Sequence, residues 1–280
     1  MADRGYDPAV VLIDLAGQGW CTGALIESDV VLTARRCIDV LSGADRCPAV
    51  EPHLVGRRDL TTLRVLVGDD AAAAVERARG RDVVMPTSGA ICGSDVALLM
   101  LDATIDDVAP LAPSADGAAV GDRVRSVGLH AARKVVRDHV RVSVESGTEI
   151  ELDEAPCAGA PGAIAIGASG EVVGVLSRGG PSCAASRGWD VYVRPDAFAP
   201  LVEQAMTMGH AVHASHQAKE KKGPVDLGAG CATGRDCAAG ECVSFAGAQY
   251  CSLPCSPDDR CPSRCRCMQS QLSTGVCVEE

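Results

Sequence analysis

The chain has 280 residues, a formal net charge of −11, 47% apolar residues and only seven aromatic side chains (two Phe, two Trp, three Tyr). That length suffices for one large domain or two smaller ones, with a core built from Ala, Val, Leu and Ile. So acidic a chain has no electrostatic reason to bind nucleic acid or an anionic membrane, and no run of about 18 apolar residues exists to span one. Fifteen cysteines exceed what a reducing compartment tolerates unless they bind metal.

In chain order, residues 8–195 read as short β-rich runs broken by Gly, Pro and Asp. The runs are AVVLIDLA (9–16), GALIES (23–28), DVVLTA (29–34), TLRVLVG (62–68), DVALLMLD (95–102), RVRSVG (123–128), VRVSVESG (140–147), GAIAIGASG (162–170) and EVVGVLSRG (171–179). Many closely spaced short strands predict an all-β barrel or sandwich. Residues Ala71–Arg81 read as a loop or short helix within that series. From Asp196 the pattern turns helical, with Phe198, Leu201, Val202, Ala205 and Met206 at 3–4 spacing on the face expected to pack on the β domain. His210, His213 and His216 continue the helical period. With no carboxylate or cysteine placed beside them, an exposed helix end accounts for these histidines better than a metal site.

Residues 217–228 (QAKEKKGPVDLG) have the composition of a linker, and Lys219–Lys222 is a solvated charge run within it. Nine of the fifteen cysteines then crowd into 231–277. This segment lacks paired C-x-x-C knuckles and histidine, so a disulfide module is expected in place of zinc. Such bonds can replace a core too small to hold alone. Nine is odd, and Cys265, crowding Cys267, is the candidate for the spare thiol. The expected domains are 1–216, comprising barrels at 8–110 and 111–195 and a helix at 196–216, then the linker 217–228 and the module 229–280. Cysteine usage predicts an extracellular or periplasmic protein, although MADRGYDPAVVLIDLAG has no charged start followed by an apolar run and a cleavage site.

Four segments, in order, carry a resemblance. They are Cys21-Thr-Gly-Ala-Leu-Ile with Val30-Val-Leu-Thr-Ala-Arg-Arg-Cys37, Gly93-Ser-Asp-Val-Ala-Leu-Leu-Met-Leu-Asp102, Cys157-Ala-Gly-Ala-Pro-Gly-Ala163 with Gly170-Glu-Val-Val-Gly-Val-Leu-Ser-Arg-Gly179, and Val191-Tyr-Val-Arg-Pro-Asp-Ala-Phe198. Together they resemble the chymotrypsin/trypsin-like serine proteases over residues 8–210. The resemblance implies two packed six-stranded antiparallel barrels with a cleft between them, no cofactor and no metal. It implies disulfides Cys21–Cys37 and Cys157–Cys183, which leave Cys47 and Cys92 as a third pair.

Laid on these positions, the family's triad has Asp95 for its aspartate, Arg36 for its histidine and Pro161 for its nucleophilic serine. Arginine stays protonated at physiological pH and cannot serve as a general base. Proline has neither a hydroxyl nor the backbone N–H that, with Gly159, would form the oxyanion hole. Ala160 replaces the aspartate that pairs with a new N-terminus on activation, and Ala163-Ile164 replace the usual Gly-Pro. The specificity-pocket positions are Ala155, Ser177 and Gly179. Ser169 in Gly167-Ala-Ser-Gly-Glu171 is one residue short of a nucleophile elbow and fits a hairpin turn. His53, His130 and His139 match no motif.

The resemblance thus implies a catalytically inactive homologue, a secreted protein that binds a protein or peptide partner; the alternative is an active endopeptidase with a non-standard site. The Ser177-Arg178-Gly179 strand would still offer an edge to an extended peptide. Arg36 either turns onto Asp95 or points to solvent. The cysteine segment is loosely similar to disulfide-rich repeats on secreted bacterial proteins, and the Ala-, Gly-, Val- and Arg-rich composition is compatible with such a source.

Overall fold

A computed structural model describes residues 7–43, 47, 49–153, 160–179 and 189–220 (side chains as far as 209), residue 232, and five strands beyond. Two compact units divide the chain, Met1–Gly209 and His210–Glu280. The first strands are β1 (Val10–Leu15), β2 (Trp20–Glu27), β3 (Val30–Thr33), β4 (Asp39–Ser42), β5 (His53–Arg57), β6 (Leu63–Val67), β7 (Val75–Val84) and β8 (Ala97–Leu101). After them come β9 (Arg123–His130), β10 (Arg133–Ser146), β11 (Glu149–Asp153), β12 (Ile164–Ile166), β13 (Val172–Gly179) and β14 (Trp189–Val193).

Two closed antiparallel barrels result. One runs β1-β2-β3-β8-β7-β6 and the other β10-β11-β14-β13-β12-β9. Closure removes free edges and buries the strands, as Val10–Leu15, apolar except for Asp14, and the wholly apolar Ala97–Leu101 are along their whole length. Aliphatic residues fill the interior. Ile13, Leu25, Leu32, Leu63 and Leu99 belong to a core cluster that continues into the second barrel through Ile164 and Val175. Val142, Ile150, Leu152, Val173 and Tyr192 form a second cluster. Tyr192 is fully buried; its hydroxyl shares a 2.8 Å hydrogen bond with Ser126, and burial pushes the phenol above its ordinary range.

Ala71–Arg81 departs from expectation. Its later part is strand, the start of the ten-residue β7, whose charges lie on an exposed face. The charges of Glu76, Arg77, Arg79 and Arg81 hide a β pattern whose apolar contribution is small: only Ala78, Gly80 and Val84 are buried. The ribbon β4–β5 belongs to neither barrel. The helix α1 (Ala199–Glu220) follows a 3-10 turn at Asp196–Phe198 and buries Val202 and Ala205 on the barrel core, with Phe198, Leu201 and Met206 packed beside them. It runs through Glu220, four residues into the stretch expected to be linker.

In the second unit, β15 (Glu241–Phe245) and β16 (Ala248–Ser252) form a hairpin that sets Cys242 opposite Cys251, both of them disulfide-bonded. Strands β17 (Pro254–Cys255), β18 (Cys265–Gln269) and β19 (Gly275–Glu279) form a sheet in the order β17-β19-β18, with Cys267 opposite Cys277. The side chain of Cys265 and residues 221–231 lie outside the described residues.

Candidate functional site: a barrel-end ion pair

The pairing of β3 with β8 sets Thr33 opposite Ala97. Continuing three residues past Thr33 and stepping two residues back from Ala97 brings Arg36 and Asp95 to the same end of the first barrel. A 3-10 turn at Arg35–Cys37 makes the step, with Cys37 N donating to Ala34 O (3.0 Å) and Ile38 N to Arg35 O (2.8 Å). The disulfide Cys21–Cys37 ties the turn to β2. A second bond, Cys47–Cys92, ties the ribbon to the segment leading into Asp95. Closing a loop of 16 residues is worth about 3 kcal/mol. A Cys21→Ala/Cys37→Ala variant is therefore expected to lose about that much stability in urea unfolding of the oxidised protein.

Asp95 is wholly buried and accepts three hydrogen bonds. Arg36 N donates to Oδ1 at 3.0 Å, Arg36 Nε to Oδ2 at 2.5 Å, and Ser177 Oγ to Oδ2 at 2.7 Å. The Arg36 side chain is 16% exposed, and its Nη2 donates to Ser177 Oγ at 3.4 Å. So Arg36 turns inward onto Asp95, and of the two orientations considered from sequence this is the one adopted. Both barrels contribute, since Ser177 comes from β13. A carboxylate that takes a guanidinium and two further donors is charge-compensated where burial would otherwise be costly.

Pro161 lies against β2 and Cys37, the residue after Arg36. Its carbonyl accepts from Thr22 N at 2.9 Å, and Cys37 Sγ is 3.6 Å from the same oxygen. Ala160 N donates to Leu129 O and Gly162 N to Leu176 O. Arg36, Asp95 and Ser177 thus meet at one place, Pro161 sits against Cys37, the residue after Arg36, and Gly179 ends the strand that carries Ser177. Ala155, Gly159, Cys157 and Cys183 lie outside the described residues, as do the side chains of His210, His213 and His216.

Sequence reasoning missed a second set of charges behind the first. Arg35, 3% exposed, donates from Nε to Asp39 Oδ2 (2.7 Å) and from Nη1 to Ser88 O (2.5 Å). Arg57 Nε reaches the other oxygen of Asp39 at 2.9 Å. Arg58 Nη1 donates to Arg36 O and Asp39 O, and burial holds its guanidinium below the usual arginine range, against a smaller opposing pull from Asp39. On the other side Arg178 grips Glu149 with two hydrogen bonds (2.6 and 2.9 Å), and Glu149 also accepts from Gly93 N. The i, i+4 spacing of Arg35 and Asp39 was the visible signal. Arg57 and Glu149 come from distant sequence and had none. Among the described residues, no three His, Cys, Asp or Glu side chains are grouped to hold a metal, and no helix is long and apolar enough to cross a membrane.

The family model described as Trypsin matches residues 1–202. Solved structures share the fold at low identity. Neuropsin, a serine protease expressed in the limbic system of mouse brain, aligns with a TM-score of 0.55 and 15% identity over 73% of this chain and 96% of its own. Kallikrein-related peptidase 10 aligns with a TM-score of 0.55 and 18% identity over 74% and 100%. Its complex with Zn2+ gives 0.53 and 17% over 73% and 97%. No curated protein sequence matches the chain. With two closed six-stranded barrels, a C-terminal helix and a family match over more than two-thirds of its length, the chain belongs to the trypsin family.

Proposed function

We propose that the chain is a non-catalytic trypsin-family protein, secreted, whose barrels serve to bind a protein or peptide partner. The observation that carries this reading is the ion pair of Arg36 with the buried Asp95. In the serine-protease mechanism a buried aspartate orients a neutral histidine, which takes the proton of an attacking serine. Here the aspartate is engaged by a permanent cation. A guanidinium accepts no proton, and it fills the space an imidazole would need.

Pro161 is the position the family resemblance assigns to the nucleophile, and it has no hydroxyl to attack with and no N–H to hold an oxyanion. Loss of either nucleophile or base alone costs on the order of a millionfold in turnover. Ser177 offers no substitute, because its hydroxyl already donates to Asp95 and no described base lies behind it. In the same reading, Arg36, Asp95 and Pro161 are the triad-equivalent positions, Gly159 and Pro161 those of the oxyanion hole, and Ala155, Ser177 and Gly179 those of the specificity pocket. Residues 229–280 are a disulfide module, for which the bonded Cys242 and Cys251 give support. Disulfides in both units also favour an oxidising, extracellular or periplasmic location.

Turnover of a mixed peptide library, read by mass spectrometry, tests the reading. The oxidised wild-type protein is expected to leave the library intact on a timescale over which trypsin digests it fully. Cleavage that survives repurification and disappears in a Ser177→Ala variant would contradict it.

A further inference from the structure

The two disulfides near the barrel-end site differ in access and in what they hold. Cys21 and Cys37 are 1% and 0% exposed, within the main core cluster. Cys47 and Cys92 each keep part of their surface in solvent. Thiol–disulfide exchange requires an incoming thiolate to reach a sulfur, so the second bond is open to it and the first is shielded.

Cys47–Cys92 also joins two segments that are otherwise held unequally. On one side is the connection between β4 and β5, a ribbon that belongs to neither barrel and whose β5 exposes all five residues. The base of the ribbon is tied through Asp39 to Arg35 and Arg57. Its far end is tied to residues 91–92 by the disulfide and by Glu51, which accepts from Ile91 N and Cys92 N. On the other side is the stretch 88–94, which has further anchors. Arg35 Nη1 donates to Ser88 O, and Ser94 Oγ donates to Ala90 O at 2.6 Å. From the second barrel, Glu149 accepts from Gly93 N at 3.0 Å and Thr148 Oγ1 donates to Gly93 O at 2.6 Å. Breaking the bond therefore leaves 88–94 anchored, and Asp95 with it, while the ribbon loses its covalent tie.

We propose that Cys47–Cys92 is a thiol–disulfide exchange site, opened by a dithiol, that switches the β4–β5 ribbon between a fixed and a mobile state while the barrels stay closed. One thiolate of the dithiol attacks a sulfur of the bond, and the Cys47–Cys92 link breaks as a mixed disulfide forms. The second thiol of the reagent then displaces the protein sulfur. Two electrons and two protons pass to the protein, which is left with two thiols, and the reagent departs as its own disulfide. In an oxidising location the bonded state is the resting one. Release of an exposed appendage costs far less than global unfolding, because few buried apolar contacts are lost with it. The inference is independent of whether the barrel-end site is catalytic.

The test is a timed treatment of the whole oxidised protein with dithiothreitol in native buffer, followed by iodoacetamide and peptide mapping. Cys47 and Cys92 are expected to be alkylated together, about tenfold or more faster than Cys21 and Cys37. Amide exchange on the same sample should accelerate in β4 and β5 and stay unchanged at Val10–Leu15 and Ala97–Leu101. A Cys47→Ser/Cys92→Ser variant should show the faster ribbon exchange without reductant, and no further change there when reductant is added. Opening of Cys21–Cys37 as fast as Cys47–Cys92 would overturn the proposal. So would unchanged ribbon exchange once the bond is open. Loss of protection at Val10–Leu15 and Ala97–Leu101 along with the ribbon would overturn it too, by making the bond a support of the barrel.

Discussion

Asp95→Ala is expected to destabilise the first unit by about 3–5 kcal/mol, the range for breaking a buried ion pair by removing one partner. The residue is fully buried and takes three donors, so truncation strands the Arg36 guanidinium, Arg36 N and the Ser177 hydroxyl together. The converse variant, Arg36→Met, is expected to cost less. Asp95 then keeps two of its three donors, and methionine can fill much of the vacated volume. A double variant, Arg36→Met with Asp95→Leu, should recover most of the loss, because well-packed apolar residues replace buried pairs at little cost. Urea unfolding of the four proteins closes a double-mutant cycle. A loss below about 1 kcal/mol for Asp95→Ala, the scale of an exposed pair, would mean that the two groups are not joined in solution.

Gly162→Ala should be nearly as damaging, at roughly 4 kcal/mol, combining backbone strain with overpacking. Gly162 has φ +84°, a conformation that costs a residue with a side chain. An added Cβ would also collide with Thr22 O and approach Thr33 Oγ1 to 2.6 Å. Neither atom can withdraw cheaply, since Thr33 Oγ1 donates to Thr22 O and Thr22 N is bound to Pro161 O. Gly170 isolates the first of these effects. Its φ is +91°, but open space surrounds the site, so Gly170→Ala should cost only about 1–2 kcal/mol. Equal thermal shifts for the two variants would show that the crowding at Gly162 is relieved by movement of β2.

The fold was legible where burial writes a pattern. Val10–Leu15, Val30–Thr33 and Ala97–Leu101 are buried along their full length and read as β-branched or aliphatic runs, broken only by Asp14 in the first. It was illegible where strands are exposed. Strand β7 carries four charged side chains in its first seven residues, and β5 exposes every residue, so neither offers the apolar alternation by which a half-buried strand is read. The end of α1 was misplaced for a related reason, since the polar stretch QAKE forms helix without an apolar stripe to mark it.

The site was legible in its composition and only partly in its geometry. Arg36 and Asp95 stood out because the motifs around them are local in sequence, but their contact depends on side-chain direction at a 3-10 turn, which spacing does not fix. Ser177 was noticed as a strand residue, and its hydrogen bond to Asp95 needs the second barrel to dock on the first. Asp39 went unremarked because its i, i+4 spacing from Arg35 is a pairing signal on a helix, and this stretch is a 3-10 turn leading into a strand. Its role follows from Arg57, which reaches it across 18 residues of sequence once β4 pairs with β5. Long-range charge pairing of this kind is a property of the folded chain.

We propose that a guanidinium has closed the site to serine-protease chemistry. This is tested most directly by incubating the oxidised protein with an active-site-directed phosphonate and measuring its intact mass, because such reagents phosphonylate, with loss of their leaving group, only a serine activated by a base. The unmodified mass is expected for the wild-type protein and for Arg36→His alike, since restoring an imidazole leaves Pro161 in place of a nucleophile. A single phosphonate adduct on a serine of the wild-type protein would contradict the claim, and its position in the digest would locate the residue that the base activates.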